Sequence, residues 1–285
     1  MTPGIRSGVA MGEYLLMAGL SASRINTLLQ YSPFHAYHDE GGEPSEVSDI
    51  GTAIHSALLE GVDNIVTIDA EDWRTKDAKA ARDAARAAGK IPMLARKVSQ
   101  VINAVEAAKR YVASSEIAGV FERGKAEETV IWKEGELFCK ARPDWLTAER
   151  DIILHLKTTS GSAEPNTWIR NQLVPMGYDC AAMFYERGLY QAEDGKGKDA
   201  PLSVFLVVEQ DAPHGCSLVA LDPAAQDLAA RKVDRAIRIW QRCKATGKYP
   251  AYPSRICYAE PRPWELEAEE TKAFSAEELE GGIPA

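Results

Sequence analysis

Two short runs of almost uninterrupted apolar residues constrain the fold of this chain most strongly. Residues 151–157 read Asp-Ile-Ile-Leu-His-Leu-Lys, and residues 202–208 read Leu-Ser-Val-Phe-Leu-Val-Val. Strands that are buried on both faces of a sheet have this pattern, whereas strands with one solvated face alternate apolar and polar side chains. Both runs therefore predict buried central strands of an α/β fold.

The remaining periodicity predicts a helical block followed by the order βββαββα. Gly135 lies in a tight turn between strands 128–132 and 137–146, which form a hairpin. Pro175 allows a kink or restart within the helix at 167–189, and residues 41–44 read as a loop. The predicted helices lie at 21–31, 49–60, 76–88, 94–114, 167–189 and 223–246. The remaining predicted strand lies at 217–221.

These elements predict one principal domain between two peripheral segments. We expect an N-terminal segment at 1–20, a single domain at 21–257 and an acidic tail at 258–285. Within the domain, residues 21–118 form a helical lobe and residues 119–257 an αβ core.

Charge is distributed unevenly along the sequence. The formal net charge of the 285 residues is −9, which argues against a protein that simply coats DNA. Residues 260–280 carry eight Glu against one Arg and one Lys, so their net charge is −6. Residues 74–97 carry eight basic residues against two Asp. This basic stretch favours either a helix that faces phosphates or a solvated helix face.

The five cysteines contain no CxxC pair, which argues against a disulfide framework or a thiolate zinc site. We see neither a signal peptide nor a membrane anchor, and no apolar run approaches the ~18 residues of a spanning helix. These features predict a cytoplasmic protein without a membrane partner.

A group of polar residues accompanies the predicted central strand. His155 and Lys157 are two residues apart, so they face the same side of the strand. Asp144 ends the hairpin strand that precedes them. A lysine on a buried strand costs free energy unless it has partners, and Asp144 with a bound metal would supply them. His55, on an early helix, is a candidate third ligand.

The segment from Asp144 to His155-Leu-Lys157 resembles the PD-(D/E)xK nuclease motif, with Pro143 before Asp144. The surrounding sequence resembles the RecE/exonuclease VIII branch of that superfamily, which is common in phages and prophages. The matching segments run in family order at Ser21–Pro33, Gly51–His55, Arg74–Lys76, Lys140–Trp145, Leu156–Thr159 and Gly177–Tyr185. The resemblance implies a restriction-endonuclease-like core, a central mixed sheet flanked by helices, with a helical N-terminal lobe.

The resemblance also implies roles for individual residues. Asp144, His55 and His155 would hold a divalent metal, and Lys157 would orient the attacking water and steady charge on the scissile phosphate. Either Glu127 or Glu128 would orient a second metal or a water, and strand alternation allows only one of them to face the site. Tyr185 would act in catalysis by contacting a phosphate or by positioning the site. The implied DNA contacts are Arg74, Lys76, Lys140, Arg142, Thr158 and Thr159.

The family pattern is altered at two positions. His155 stands where the family has Asp or Glu, and Ala181 stands where it usually has Gln. Mg²⁺ prefers oxygen ligands, whereas two imidazoles with one carboxylate suit Mn²⁺, Fe²⁺ or Zn²⁺ better. We expect Mg²⁺ or Mn²⁺, with Mn²⁺ favoured by His155. Two alternatives follow: a site retuned toward Mn²⁺, or a catalytically impaired module that binds DNA ends or a partner without cutting.

The implied function is a metal-dependent exonuclease that degrades double-stranded DNA ends in the 5′-to-3′ direction during phage-type recombination. The implied partners are duplex ends, a single-strand annealing protein and further copies of the chain in a ring. Some relatives carry an iron–sulfur cluster on a tight C-terminal group of cysteines, but Cys243 and Cys257 are far apart, so we expect no cluster. Since the chain is acidic, an enzyme unrelated to DNA is the third hypothesis.

Overall fold

The computed structural model describes residues 1–39, 46–192 and 200–280, and it describes side chains throughout these ranges except at 46–49 and 273–280. The loop predicted at residues 41–44 lies outside the described residues. The chain forms two compact units, Met1–Ala251 and Tyr252–Ala285.

Strands and helices alternate through the first unit, and the second contains the last helix. The strands are β1 (Gly4–Arg6), β2 (Ile65–Ile68), β3 (Ile91–Leu94), β4 (Gly124–Ala126), β5 (Thr129–Glu134), β6 (Leu137–Ala141), β7 (Trp145–Thr147), β8 (Ile152–Thr159), β9 (Leu202–Glu209) and β10 (Cys216–Ala220). The helices are α1 (Met11–Leu16), α2 (Ala22–Gln30), α3 (Pro33–Tyr37), α4 (Glu46–Leu59), α5 (Lys76–Ala87), α6 (Ala95–Ala113), α7 (Pro165–Trp168), α8 (Tyr178–Ala192), α9 (Pro223–Thr246) and α10 (Pro263–Glu280).

A five-stranded mixed sheet forms the centre of the first unit, in the order β10-β9-β8-β7-β4. The two apolar runs of the sequence are β8 and β9, which pair in parallel, while the outer strands pair antiparallel. Helices cover both faces of this sheet. The predicted α/β class with a central mixed sheet flanked by helices is therefore confirmed.

Alternation along β8 and β9 divides the hydrophobic core into two layers. Ile153 and Phe205 face the layer that contains α2, α8 and α9. Leu154 and Leu206 face the opposite layer, which contains α4 and α6. By the same alternation, His155 and Lys157 belong to the α8 face, and Leu156 lies on the α4 face.

The hairpin at 128–146 differs from the prediction, because its returning strand is broken. Residues 137–141 form β6, which pairs with β5 in a separate three-stranded sheet of order β1-β5-β6. The chain then leaves that sheet and joins the central sheet as β7. Pro143 lies in the break, where it has no N–H to donate to a strand ladder. The break leaves Asp144 between the two sheets.

The predicted helical lobe also contains β structure. Strands β2 and β3 pair in parallel, and α5 connects them. Sequence periodicity predicts α5 and α6 but misses these two strands, which are only four residues long. The predicted helix at 167–189 is interrupted near Pro175, and α8 begins after it at Tyr178.

In the described part of the chain, we find no helix that combines the length and apolar character needed to cross a membrane.

Candidate active site and metal centre

A cleft of about 740 Å³ opens where β8, α4 and the break before β7 meet. Its walls include His55, Glu127, Asp144 and Lys157, together with residues of α1 and the start of α2. A glycine lets α4 approach the end of β8: a Cβ at Gly51 would lie 2.7 Å from the Thr158 Oγ1. His55 is one helical turn further along the same face, so this close packing brings its ring to the cleft.

Asp144 is the centre of the polar group. One oxygen, Oδ2, accepts a hydrogen bond from the Leu156 N–H at 2.7 Å and lies 3.4 Å from the Lys157 Nζ. The other, Oδ1, lies 3.3 Å from the His55 Nε2. The broken strand thus holds its carboxylate against β8 on one side and against α4 on the other.

Glu127 completes a group of three possible metal ligands. Its Oε1 lies 3.7 Å from the His55 Nε2. Ligand atoms of His55, Glu127 and Asp144 all lie within 4.8 Å of one another. Glu127 has a left-handed backbone, with φ 58°, between β4 and β5. Glu128 points elsewhere and accepts a hydrogen bond from Ser7, so Glu127 is the glutamate that the fold places in the cleft.

The charges of these ligands depend on burial and on one another. Burial raises the pKa of Asp144, but Lys157 and His55 outweigh it, so the pKa falls well below its usual range. Burial lowers the pKa of His55, but Asp144 and Glu127 outweigh that effect and raise it. Burial raises the pKa of Glu127, which the Arg142 guanidinium only partly offsets. Lys157 and His55 thus stabilise an ionised Asp144, whereas the charge of Asp144 raises the pKa of Glu127 further.

Lys157 lies beside the three ligands and remains accessible. Its Nζ donates to the Leu156 carbonyl at 3.1 Å and lies 5.2 Å from the centre of the Tyr178 ring. Its side chain is 24% exposed. An ammonium group is therefore fixed next to the carboxylate but still open to the cleft.

His155 occupies a different environment from the one expected of a metal ligand. It is 3% exposed, its ring stacks on Phe205, and its Nε2 lies 3.3 Å from the Ser203 Oγ. Burial, together with the charge of Lys157, lowers its pKa to about 3. His155 does not join the group of possible ligands, because its ring packs into the α8 layer. Glu127 is the third member of that group instead.

Tyr185 and the two threonines are placed at or near the cleft. Tyr185 lines it, and burial strongly raises the pKa of its hydroxyl. Thr158 also lines it and accepts a hydrogen bond from Gln210 at 3.1 Å. Thr159 is 4% exposed and accepts from Gln172 at 2.8 Å, so its hydroxyl is engaged within the protein.

Lys140 and Arg142, expected to contact DNA, line the cleft and also bind the N-terminal segment. The Lys140 Nζ donates to the carbonyls of Tyr14, Leu15 and Met17 at 2.7, 3.3 and 2.8 Å. Arg142 donates to the Val9 carbonyl at 2.7 Å and to Glu127. Both side chains also lie over the Tyr14 ring. Their charges therefore serve largely to hold the wall of the cleft in place.

Arg74 and Lys76 lie at the start of α5 and outside the residues that line the cleft. The Arg74 side chain is 92% exposed and lies 3.4 Å from Asp72. Sequence reasoning missed Tyr14, Tyr178 and Gln210, which do line the cleft. No local pattern marks them, because each reaches the site from an element distant in sequence.

A mixed sheet flanked by helices, with an aspartate after a proline and a strand lysine meeting in one cleft, defines a domain of the PD-(D/E)xK class. Comparison of sequences agrees: the family described as "PDDEXK-like domain of unknown function (DUF3799)" matches residues 21–260. The chain belongs to this family.

A solved structure supports the fold. A crystal structure of a "Putative exonuclease" from Eubacterium rectale is similar to this chain with a TM-score of 0.57 at 11% sequence identity, and the match covers 92% of this chain and 99% of that chain. A second structure, of the protein SSO0001, has a TM-score of 0.27 at 11% identity over 81% of this chain and 87% of that chain. No curated protein matches the sequence.

Proposed function

We propose that this protein is a metal-dependent nuclease that hydrolyses phosphodiester bonds in DNA. The observation that carries the proposal is the convergence of His55, Glu127 and Asp144 on one point, with Lys157 beside it. Membership of a PDDEXK-like family supports the same interpretation. In detail, we propose a RecE/exonuclease VIII-like enzyme that degrades duplex ends 5′ to 3′ in the cytoplasm of a bacterial or phage-infected cell, with a single-strand annealing partner and a ring of subunits.

The donor atoms fit a divalent metal. One imidazole nitrogen and two carboxylates are available in the described residues. The expectation that favoured Mn²⁺ depended on His155, whose Nε2 faces Ser203 instead. With two carboxylates in the group, both Mg²⁺ and Mn²⁺ suit the site. A bound ion of this kind lowers the pKa of a coordinated water and polarises a phosphoryl oxygen.

The side chains around that position have distinct tasks. Asp144 would hold the ion and, through the Leu156 N–H, keep it at a fixed distance from β8. Lys157 would place a positive charge where charge develops on the scissile phosphate and would orient the attacking water. Arg142 would keep Glu127 turned toward the cleft. The Tyr185 hydroxyl, whose pKa is raised by desolvation, would stay protonated and would donate a hydrogen bond to a phosphate oxygen.

Digestion of linear duplex DNA tests the function directly. Wild-type protein in Mg²⁺ or Mn²⁺ should release nucleotides from a linear duplex with 5′-phosphate ends, and EDTA should stop the release. A covalently closed circle of the same sequence should remain intact, because an exonuclease needs an end. Strands labelled at the 5′ or the 3′ end report polarity. Cleavage of the circle would contradict the exonuclease assignment, and no cleavage of either substrate in either metal would contradict the nuclease.

His155 favours a second candidate, an impaired PD-(D/E)xK module that binds DNA ends or a partner without cutting. It occupies the position of the motif carboxylate and is buried against Phe205. Replacing it by aspartate separates the two candidates. Under the nuclease proposal, His155→Asp buries a carboxylate in an apolar layer, so we expect a stability loss of about 3 kcal/mol and no gain in cleavage, measured by urea unfolding and digestion. Cleavage by His155→Asp where wild type is inactive would instead establish the impaired module.

A further inference from the structure

We infer that the exposed face of α9 binds the phosphate backbone of duplex DNA. This inference rests on the proposed function, because it names a second surface for the same substrate. The surface, called here the arginine stripe, consists of Arg231, Arg235, Arg238 and Arg242, all of which are exposed.

The spacing of the four arginines places them on one side of the helix. They are separated by four, three and four residues, which is the repeat of one helix face. The opposite face, with Val233, Ile237 and Trp240, is buried in the core. From the first arginine to the last the helix rises about 16.5 Å, which is close to half a turn of B-form DNA.

Acidic neighbours neutralise little of this charge. Asp227 lies 2.9 Å from Arg231, and Asp234 turns to Arg187 at 2.6 Å. Among the described residues, no ion pair joins a carboxylate to Arg235, Arg238 or Arg242. Residues 223–246 contain six Arg and Lys against two Asp, a net of +4 in a chain whose net charge is −9. A merely solvated helix face usually mixes both signs more evenly.

The cleft itself provides little free positive charge for a polyanion. Lys140 is bonded to three main-chain carbonyls, Arg142 is bonded to Glu127 and Val9, and Lys157 lies against Asp144. The basic stretch at 74–97 is partly neutralised as well, since Arg74 lies against Asp72 and Arg82 against Asp83. In the arginine stripe, by contrast, only Arg231 has an ion-pair partner among the described residues.

Ion pairs fix α9 to the helix that reaches the cleft. Lys232 donates to Asp179 on α8 at 2.7 Å, and Asp234 accepts from Arg187 on the same helix. Arg187 also binds Glu134 of β5. Because α8 carries Tyr185 to the cleft, the arginine stripe keeps a fixed position relative to the reacting centre. A duplex bound there would therefore keep a fixed orientation relative to α8.

The test compares binding of a duplex of about 20 base pairs by wild type and by the triple variant Arg235→Gln/Arg238→Gln/Arg242→Gln, in EDTA and over a range of salt. Each arginine–phosphate ion pair that is removed should reduce the slope of log affinity against log salt by about 0.9, so the slope of the triple variant should be smaller by about 2.7. Wild-type affinity should then fall about 40-fold more than that of the variant between about 50 and 200 mM salt. Arg238→Gln alone should reduce the slope by about 0.9.

The control variant Lys109→Gln/Arg110→Gln/Lys133→Gln makes the same change in net charge on other exposed positions, and it should keep the wild-type slope. Wild-type digestion of duplex DNA, run in parallel, tests the proposed function separately. An unchanged slope in the triple variant, an equal reduction in the control, or tighter DNA binding by the variant would each overturn the inference while leaving the nuclease intact. A reduced slope without digestion by wild type would support the stripe and contradict only the nuclease.

Discussion

Asp144→Asn is expected to remove both metal binding and cleavage. Asparagine has the shape of aspartate, and its amide oxygen can still accept the hydrogen bond from Leu156 that Asp144 accepts at 2.7 Å. The variant should therefore fold, but it lacks the negative charge that would bind the metal and that lies beside His55 and Lys157. We expect nuclease activity to fall by about a thousandfold or more, which corresponds to about 4 kcal/mol of transition-state stabilisation.

Metal binding provides a readout that is independent of activity. An ion at about 100 times its dissociation constant stabilises a folded protein by about 2.7 kcal/mol, which raises the melting temperature of wild type. This rise should be absent in Asp144→Asn. Asp151→Asn is a matched control, because Asp151 makes an exposed ion pair with Arg123, and it should keep both the rise and the activity. A full metal-dependent rise in Asp144→Asn would place the metal elsewhere.

The fold class was predictable because it depends on long apolar runs. Strands β8 and β9 read as buried in the sequence, and burial on both faces leaves few alternatives to a central sheet. The broken strand before Asp144 was harder to predict from the sequence. A proline interrupts the hydrogen bonding between strands, but the neighbouring sequence does not indicate that the two halves of the strand join different sheets. Strands β2 and β3 were missed for a similar reason, since four residues carry too little periodicity.

In the cleft, too, the sequence predicts features that depend on neighbouring residues but not contacts between residues that are distant in sequence. Strand alternation correctly predicts that His155 and Lys157 share a face. It cannot predict that the His155 ring turns onto Phe205 of the neighbouring strand, because that contact depends on strand register. Likewise, Glu127 enters the cleft through a left-handed backbone, which strand alternation does not describe.

Positive charges were hardest to assign from the sequence. Lys140 and Arg142 lie next to the motif aspartate, which makes them natural candidates for phosphate contacts. Both bind main-chain carbonyls of residues 9–17, more than 120 positions earlier, and Arg142 also binds Glu127. The arginines of α9 lie far from any motif, and only the structure indicates that they are exposed together on one face.

Lys157→Ala should separate catalysis from metal binding. Its ammonium group lies 3.4 Å from Asp144 and is open to the cleft, where it can stabilise charge on a phosphate as the bond breaks. Loss of one such preorganised group costs about 100- to 1,000-fold in rate. Metal binding should persist or strengthen, because a positive charge beside the ligands has been removed.

Asp144→Asn and Lys157→Ala should differ in their response to metal. Asp144→Asn should lose the metal-dependent rise in melting temperature together with activity, whereas Lys157→Ala should lose activity and keep the rise. Lys157→Met preserves the aliphatic part of the side chain and excludes an effect of reduced packing, so it should be as inactive as the alanine variant. Lys133→Ala, on the strand β5 and outside the cleft lining, should cut at the wild-type rate. Full activity in Lys157→Ala would show that another group serves the scissile phosphate, and loss of the metal-dependent rise would show that Lys157 instead maintains the geometry of the ligands.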